Sequence, residues 1–111
     1  MKTTVTKFFR FSASHSTGSR VSGKNYIFEI TIDAVSPDQE LVFEKKVLEK
    51  LVRKLESRDL GLHVDFLKGV EITDGNLLEA FWRVLQESAP GFEIRSMALQ
   101  RDDTTKTTLV L

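Results

Sequence analysis

Tyr26-Ile27-Phe28-Glu29-Ile30-Thr31-Ile32-Asp33-Ala34 is the stretch on which the fold turns. Tyr26, Phe28, Ile30, Ile32 and Ala34 alternate with Glu29, Thr31 and Asp33, the period of two that a half-buried strand imposes. Upstream, over residues 3–13, Val5, Phe9, Phe11 and Ala13 keep the same period, interrupted at Lys7, which predicts a first strand antiparallel to the second. Residues 14–24 between them are rich in Ser and Gly and break the pattern, so they read as a connection. Ser36-Pro37-Asp38 stops the second strand, because proline has no amide hydrogen for a ladder and serine and aspartate favour turns.

Downstream the period changes. Over residues 43–57, Phe43, Val47, Leu48, Leu51, Val52 and Leu55 fall on one stripe of an α-helix, with Lys45, Glu49, Lys50, Arg53 and Lys54 outward. Thr73 or Asp74 N-caps a second helix whose Leu77, Leu78, Phe81, Val84 and Leu85 face inward, and Pro90-Gly91 closes it. Of the adjacent pair Phe81 and Trp82, one belongs in the core and the other is available to a neighbouring subunit. Residues 92–101 and 104–111 read as two further strands, the last rich in β-branched threonine.

The order ββααββ predicts an α+β domain over residues 1–111: a four-stranded antiparallel sheet with both helices on one face. Such a sheet keeps open edges, and Phe8 and Ile27 fall out of phase with the apolar sets of their strands, so self-association is expected.

Composition narrows the classes. In 111 residues, 41% hydrophobic, 16 Lys plus Arg cancel 16 Asp plus Glu, leaving no global field to collect nucleic acid or an anionic membrane. The basic run Lys45, Lys46, Lys50, Arg53 and Lys54 is interleaved with glutamates and reads as a solvated helix face. The chain contains no cysteine, which removes disulfides and thiolate chemistry and fits a cytoplasmic protein. No signal-peptide pattern opens the sequence, and no stretch approaches the roughly 18 consecutive apolar residues of a membrane span.

Phe11-Ser12-Ala13-Ser14-His15, then Ser22-Gly23-Lys24-Asn25-Tyr26 leading into the alternating strand, resemble the opening of the 6-pyruvoyl-tetrahydropterin and 6-carboxy-tetrahydropterin synthase family, Phe-x-Ala-x-His followed by His-Gly-His-Asn-Tyr. Leu62-His63 stands where that family has Leu-Asp-His, Ile72-Thr73-Asp74-Gly75-Asn76-Leu77 resembles its Pro-Thr-x-Glu-Asn-Leu helix start, and Asp103-Thr104 corresponds to its C-terminal Glu-Thr. The resemblance spans nearly the whole chain. It implies the tunnelling fold, an oligomeric barrel of trimeric or hexameric order with sites between subunits, and a pterin or purine as small-molecule partner.

The same resemblance shows what is missing. The family's three zinc-binding histidines are matched here by His15, Ser22 and Lys24; serine is a poor zinc ligand and a lysine ammonium repels the metal, so no zinc cofactor is expected. The family's cysteine base has no counterpart, and Leu62 replaces the aspartate that orients the histidine, leaving His63 as what remains of the family's catalytic set. For gripping the pterin edge, an ungapped match offers Arg101 and a two-residue bulge offers Asp103 beside Thr104, while Asp102-Asp103-Thr104 equally suits a hairpin turn. Two readings stay open. The first is a family-like protein that has lost the zinc-dependent pterin lyase reaction and keeps a binding or scaffold role. The second is a metal-independent enzyme with lyase- or aldolase-like chemistry on a pterin or purine, using His63, Lys24 or Asp103.

Overall fold

The computed structural model describes residues 1–17, 20–102 and 104–111. Strands β1 (Thr4–Thr17) and β2 (Arg20–Asp33) form a long antiparallel hairpin, followed by the helical segment and then by β3 (Ile94–Gln100) and β4 (Lys106–Val110). The sheet order is β1-β2-β3-β4, antiparallel throughout, so β2 and β3 are central and β1 and β4 are edges. The expected α+β architecture holds, with one correction. The Ser- and Gly-rich residues 14–24 are not a long loop: Ser14 pairs with Gly23, His15 with Ser22 and Ser16 with Val21. Backbone hydrogen bonds satisfy this part of the hairpin without an apolar face beneath it, which is why hydrophobic alternation does not announce it.

Helix α1 (Pro37–Val42) begins earlier than the apolar stripe suggests. Ser36 caps it, its Oγ accepting from Gln39 N at 3.2 Å, and Pro37 takes the first turn, where its missing N–H costs nothing. None of its residues is buried, so periodicity carries no signal there. The helix passes through a π-helical stretch, Phe43–Leu48, in which Glu49 N–H donates five residues back to Glu44 O, and continues as α2 (Glu49–Leu55). Apolar residues four apart drift by about 40° per step on an α-helix. The wider turn offsets that drift and keeps Phe43, Val47, Leu51 and Leu55 on the core.

Helix α3 (Asp74–Ser88) is capped by Thr73, whose Oγ1 accepts from Asn76 N at 3.2 Å. Phe81 is fully buried, T-stacked on Phe28 at 5.4 Å, while Trp82 is half-buried at the margin of the core. The core lies between the sheet and the helices: Phe11, Phe28, Ile30, Ile32, Met97 and Leu99 from the sheet meet Phe43, Leu48, Leu77 and Leu85. Each such side chain removed from water contributes about 1.5–3 kcal/mol. Lys7 sits on this covered face because it reaches the helix: its Nζ lies 2.5 Å from Glu40 and 3.4 Å from Glu44. The other face is open, and Phe8 is 62% exposed on it.

Candidate functional site

Three residues converge on the distal hairpin. His15 faces Ser22 directly across the β1–β2 ladder, and Lys24 lies one pair further along, opposite Ala13. Side chains two apart on a strand share a face, so all three project from the same side. The register therefore brings together the three positions where the sequence resemblance puts metal ligands. The donors are one imidazole, one hydroxyl and one ammonium, a set that does not fit zinc. Among the described residues, no group of three His, Cys, Asp or Glu side chains stands ready to hold a metal.

The turn after α2 docks on the same hairpin. Ser14 N–H donates to Arg58 O and Leu60 N–H to Ser14 O, both at 2.8 Å, which adds a short parallel bridge to the edge of β1. Asp59 is the buried hinge of this contact: it accepts from Ser16 Oγ, from Gly61 N at 3.1 Å and from Leu62 N at 3.0 Å. The Ser16 hydroxyl, with these backbone amides, holds its carboxyl below the usual carboxylate range. His63 hangs from the turn through its N–H to Asp59 O, 2.9 Å, with its side chain exposed. His15 is half-buried against this turn, since a Cβ added at Gly61 would come 3.8 Å from His15 Cδ2.

Along the hairpin, a cavity of about 680 Å³ opens on the free face of the sheet, lined by Arg10, Ser12, Asn25, Glu56, Gln100 and Arg101 among others. Ser12 and Asn25, whose side chains point to the opposite side of the ladder from that of Lys24, also line a smaller cleft of about 290 Å³, so the two clefts form one continuous polar surface. Within it Ser12 Oγ donates to Asn25 Oδ1 at 2.6 Å and Glu56 accepts from Ser12 N at 3.1 Å. Arg101, whose residue borders the cavity, donates from Nε to Asp74 Oδ2 at 2.6 Å, which ties the guanidinium to the start of α3 and raises its pKa further. Burial pushes the neighbouring Tyr26 phenol up, and the Asp74 carboxylate adds to the effect. The surface carries both hydrogen-bond donors and acceptors, from arginine, serine, asparagine, glutamine and glutamate side chains; no histidine lines the larger cavity.

Asp102 acts as a turn residue, its Oδ1 accepting from Thr104 N and Thr105 N, both at 2.8 Å. Thr104 is exposed and directs its hydroxyl to the same oxygen at 2.9 Å. Asp103, the carboxylate proposed as ring anchor, lies outside the described residues. Sequence reasoning missed Asp59, whose signal was the Asp-Leu-Gly turn pattern, and took Asp74 only as a helix start. It also missed Glu56, for which no local signal exists.

The chain matches no protein-family model and no curated protein. Among solved structures it is similar to the 6-pyruvoyl tetrahydropterin synthase of Caenorhabditis elegans, with 18% identity and a TM-score of 0.84 over 100% of this chain and 96% of that one. It is similar also to the 6-pyruvoyl tetrahydropterin synthase of Plasmodium falciparum, with 14% identity and a TM-score of 0.61 over 97% of this chain and 96% of that one. With element order and sheet topology also in agreement, the chain has the tunnelling fold of 6-pyruvoyl tetrahydropterin synthase.

Proposed function

We propose that this protein is a tetrahydropterin-synthase-like binding protein that works without zinc and does not carry out the zinc-dependent lyase reaction. The observation that supports the reading is the single hairpin face shared by His15, Ser22 and Lys24, the positions that the resemblance matches to metal ligands and whose side chains make a poor zinc donor set. The ligand class is a pterin or purine, held at the polar surface that Ser12, Asn25 and Gln100 line, with Asp103 as ring anchor. A carboxylate there meets the amino and imide donors of such a ring, whereas a guanidinium offers donors alone.

Copies of the chain associate in this reading through the open sheet edges, the first half of β1 and the outer side of β4. The absence of cysteine suits a reducing, cytoplasmic setting. No helix among the described residues is long and apolar enough to cross a membrane.

Metal analysis of the purified protein, with calorimetric titration of a reduced pterin and of guanine, tests the reading. Substoichiometric zinc and ring binding that Asp103→Ala abolishes are the expected results. One zinc per chain removed by His15→Ala would overturn it, and ring binding insensitive to Asp103→Ala would remove the anchor. No ring binding at all would leave only the scaffold role. Turnover of the pterin that is lost in His63→Ala would favour the metal-independent enzyme instead.

A further inference from the structure

On the helical side, away from the open sheet face, α2 and α3 leave between them a cleft of about 280 Å³. Its floor is formed by Val47, Leu51 and Leu85, which the core buries almost completely, and by the half-buried Val84, and one wall carries Lys46, Lys50 and Lys54. Along the sequence these lysines are interleaved with Glu44 and Glu49 and the segment looks balanced. The fold separates them. Glu44 turns to the sheet, where Lys7 Nζ lies 3.4 Å away, and Glu49 is held by Lys45 at 2.9 Å. Among the described residues Lys46, Lys50 and Lys54 form no ion pair, and no carboxylate lines the cleft. Like charges one turn apart repel one another weakly, and an external acid meeting the row would relieve that repulsion.

We propose that this cleft docks an amphipathic helix of an acidic protein partner. One apolar side chain rests on Val84, and carboxylates at four-residue intervals face Lys46, Lys50 and Lys54. Charge complementarity selects an acid, and the geometry selects a helix. The three lysines span about 12 Å, and a helix lying alongside repeats its four-residue positions with the same rise of about 6 Å, so each carboxylate meets its lysine in register. A nucleic-acid backbone would gain nothing from the apolar floor. Pairing of copies through the sheet leaves the cleft accessible.

Fluorescence anisotropy with a labelled helical peptide about 18 residues long, carrying leucines on one stripe and glutamates four apart beside it, tests the proposal. Binding is expected to weaken about tenfold when Lys46, Lys50 and Lys54 are all changed to Gln, because three exposed pairs are lost. Val84→Asp is expected to weaken it as well; the lysine variant should not lower the unfolding midpoint, whereas Val84→Asp lowers it because Val84 packs partly against the core. Against the unaltered protein, a peptide with lysines in place of the glutamates should not bind, which keeps the test valid if a variant unfolds. Absence of binding, equal binding of a scrambled peptide or of polyglutamate, indifference to the lysine changes, or tighter binding of single-stranded RNA would each overturn it.

Discussion

Asp59 shows how one side chain ties the candidate site to the fold. Its carboxylate satisfies two backbone amides and the Ser16 hydroxyl while buried against β1. Asp59→Ala strands those donors and is expected to cost about 1–3 kcal/mol in urea denaturation. The carboxyl is held below its unfolded value, so its contribution is complete above about pH 4 and is lost as pH falls through the lower folded pKa. The stability gap between the wild type and Asp59→Asn should therefore be widest near neutrality and shrink below about pH 4. Lys7 carries the opposite lesson. Its ion pairs with Glu40 and Glu44 are partly exposed, and methionine would restore the apolar alternation of β1. Lys7→Met is expected to change stability by less than about 1 kcal/mol, and a larger loss in the same assay would show that the bridge outweighs the packing.

At the scale of elements, legibility followed the core. Strand β2 and helices α2 and α3 were readable because they bury a stripe, whereas α1 and the distal hairpin bury little and are held by caps and backbone ladders. The start of α1 was nonetheless written in Ser36-Pro37-Asp38-Gln39, a capping box that was read only as the end of a strand. Capping is testable at α3. Thr73→Ala is expected to lower stability by about 1 kcal/mol, with Thr73→Ser recovering most of it, because only a side-chain acceptor meets Asn76 N–H. Equal stability of the two variants would show that water serves the helix end as well. The bulge in the β2–β3 pairing had no sequence signal. The register passes from Thr31↔Ser96 to Ile32↔Ile94, and Arg95, left over, forms a bidentate pair with Asp33 at 2.7 Å.

The whole molecule is longer than its size requires. Its radius of gyration is 14.2 Å and its extents are 50 × 28 × 19 Å, against about 13 Å for a compact chain of this length. The excess is the hairpin, which carries His15, Ser22 and Lys24 beyond the helical layer. The turn at residues 57–60 covers β1 near Ser14, but the first half of β1 and the outer side of β4 stay open, and Phe8 and Val110 are exposed. Light scattering at micromolar concentration is expected to report an oligomer that Phe8→Glu disperses. A monomeric wild type would remove the assembly, and with it any site shared between copies.

Local periodicity, taken alone, determined the element types, their order and the covered face of the sheet, because a half-buried strand and a half-buried helix each impose their own spacing on apolar side chains. The family resemblance, not the periodicity, singled out His15, Ser22 and Lys24, and along the sequence they lie in a connection that the structure resolves into a paired hairpin. The tertiary structure alone decided which charges meet. Asp59 and Ser16 are 43 residues apart, and Arg101 and Asp74 are 27 apart. Helix phase alone parted Glu44 and Glu49 from Lys46, Lys50 and Lys54. Pairing at a distance depends on how the layers stack and on where the π turn rotates the helix, and neither leaves a trace in the spacing of neighbours along the chain.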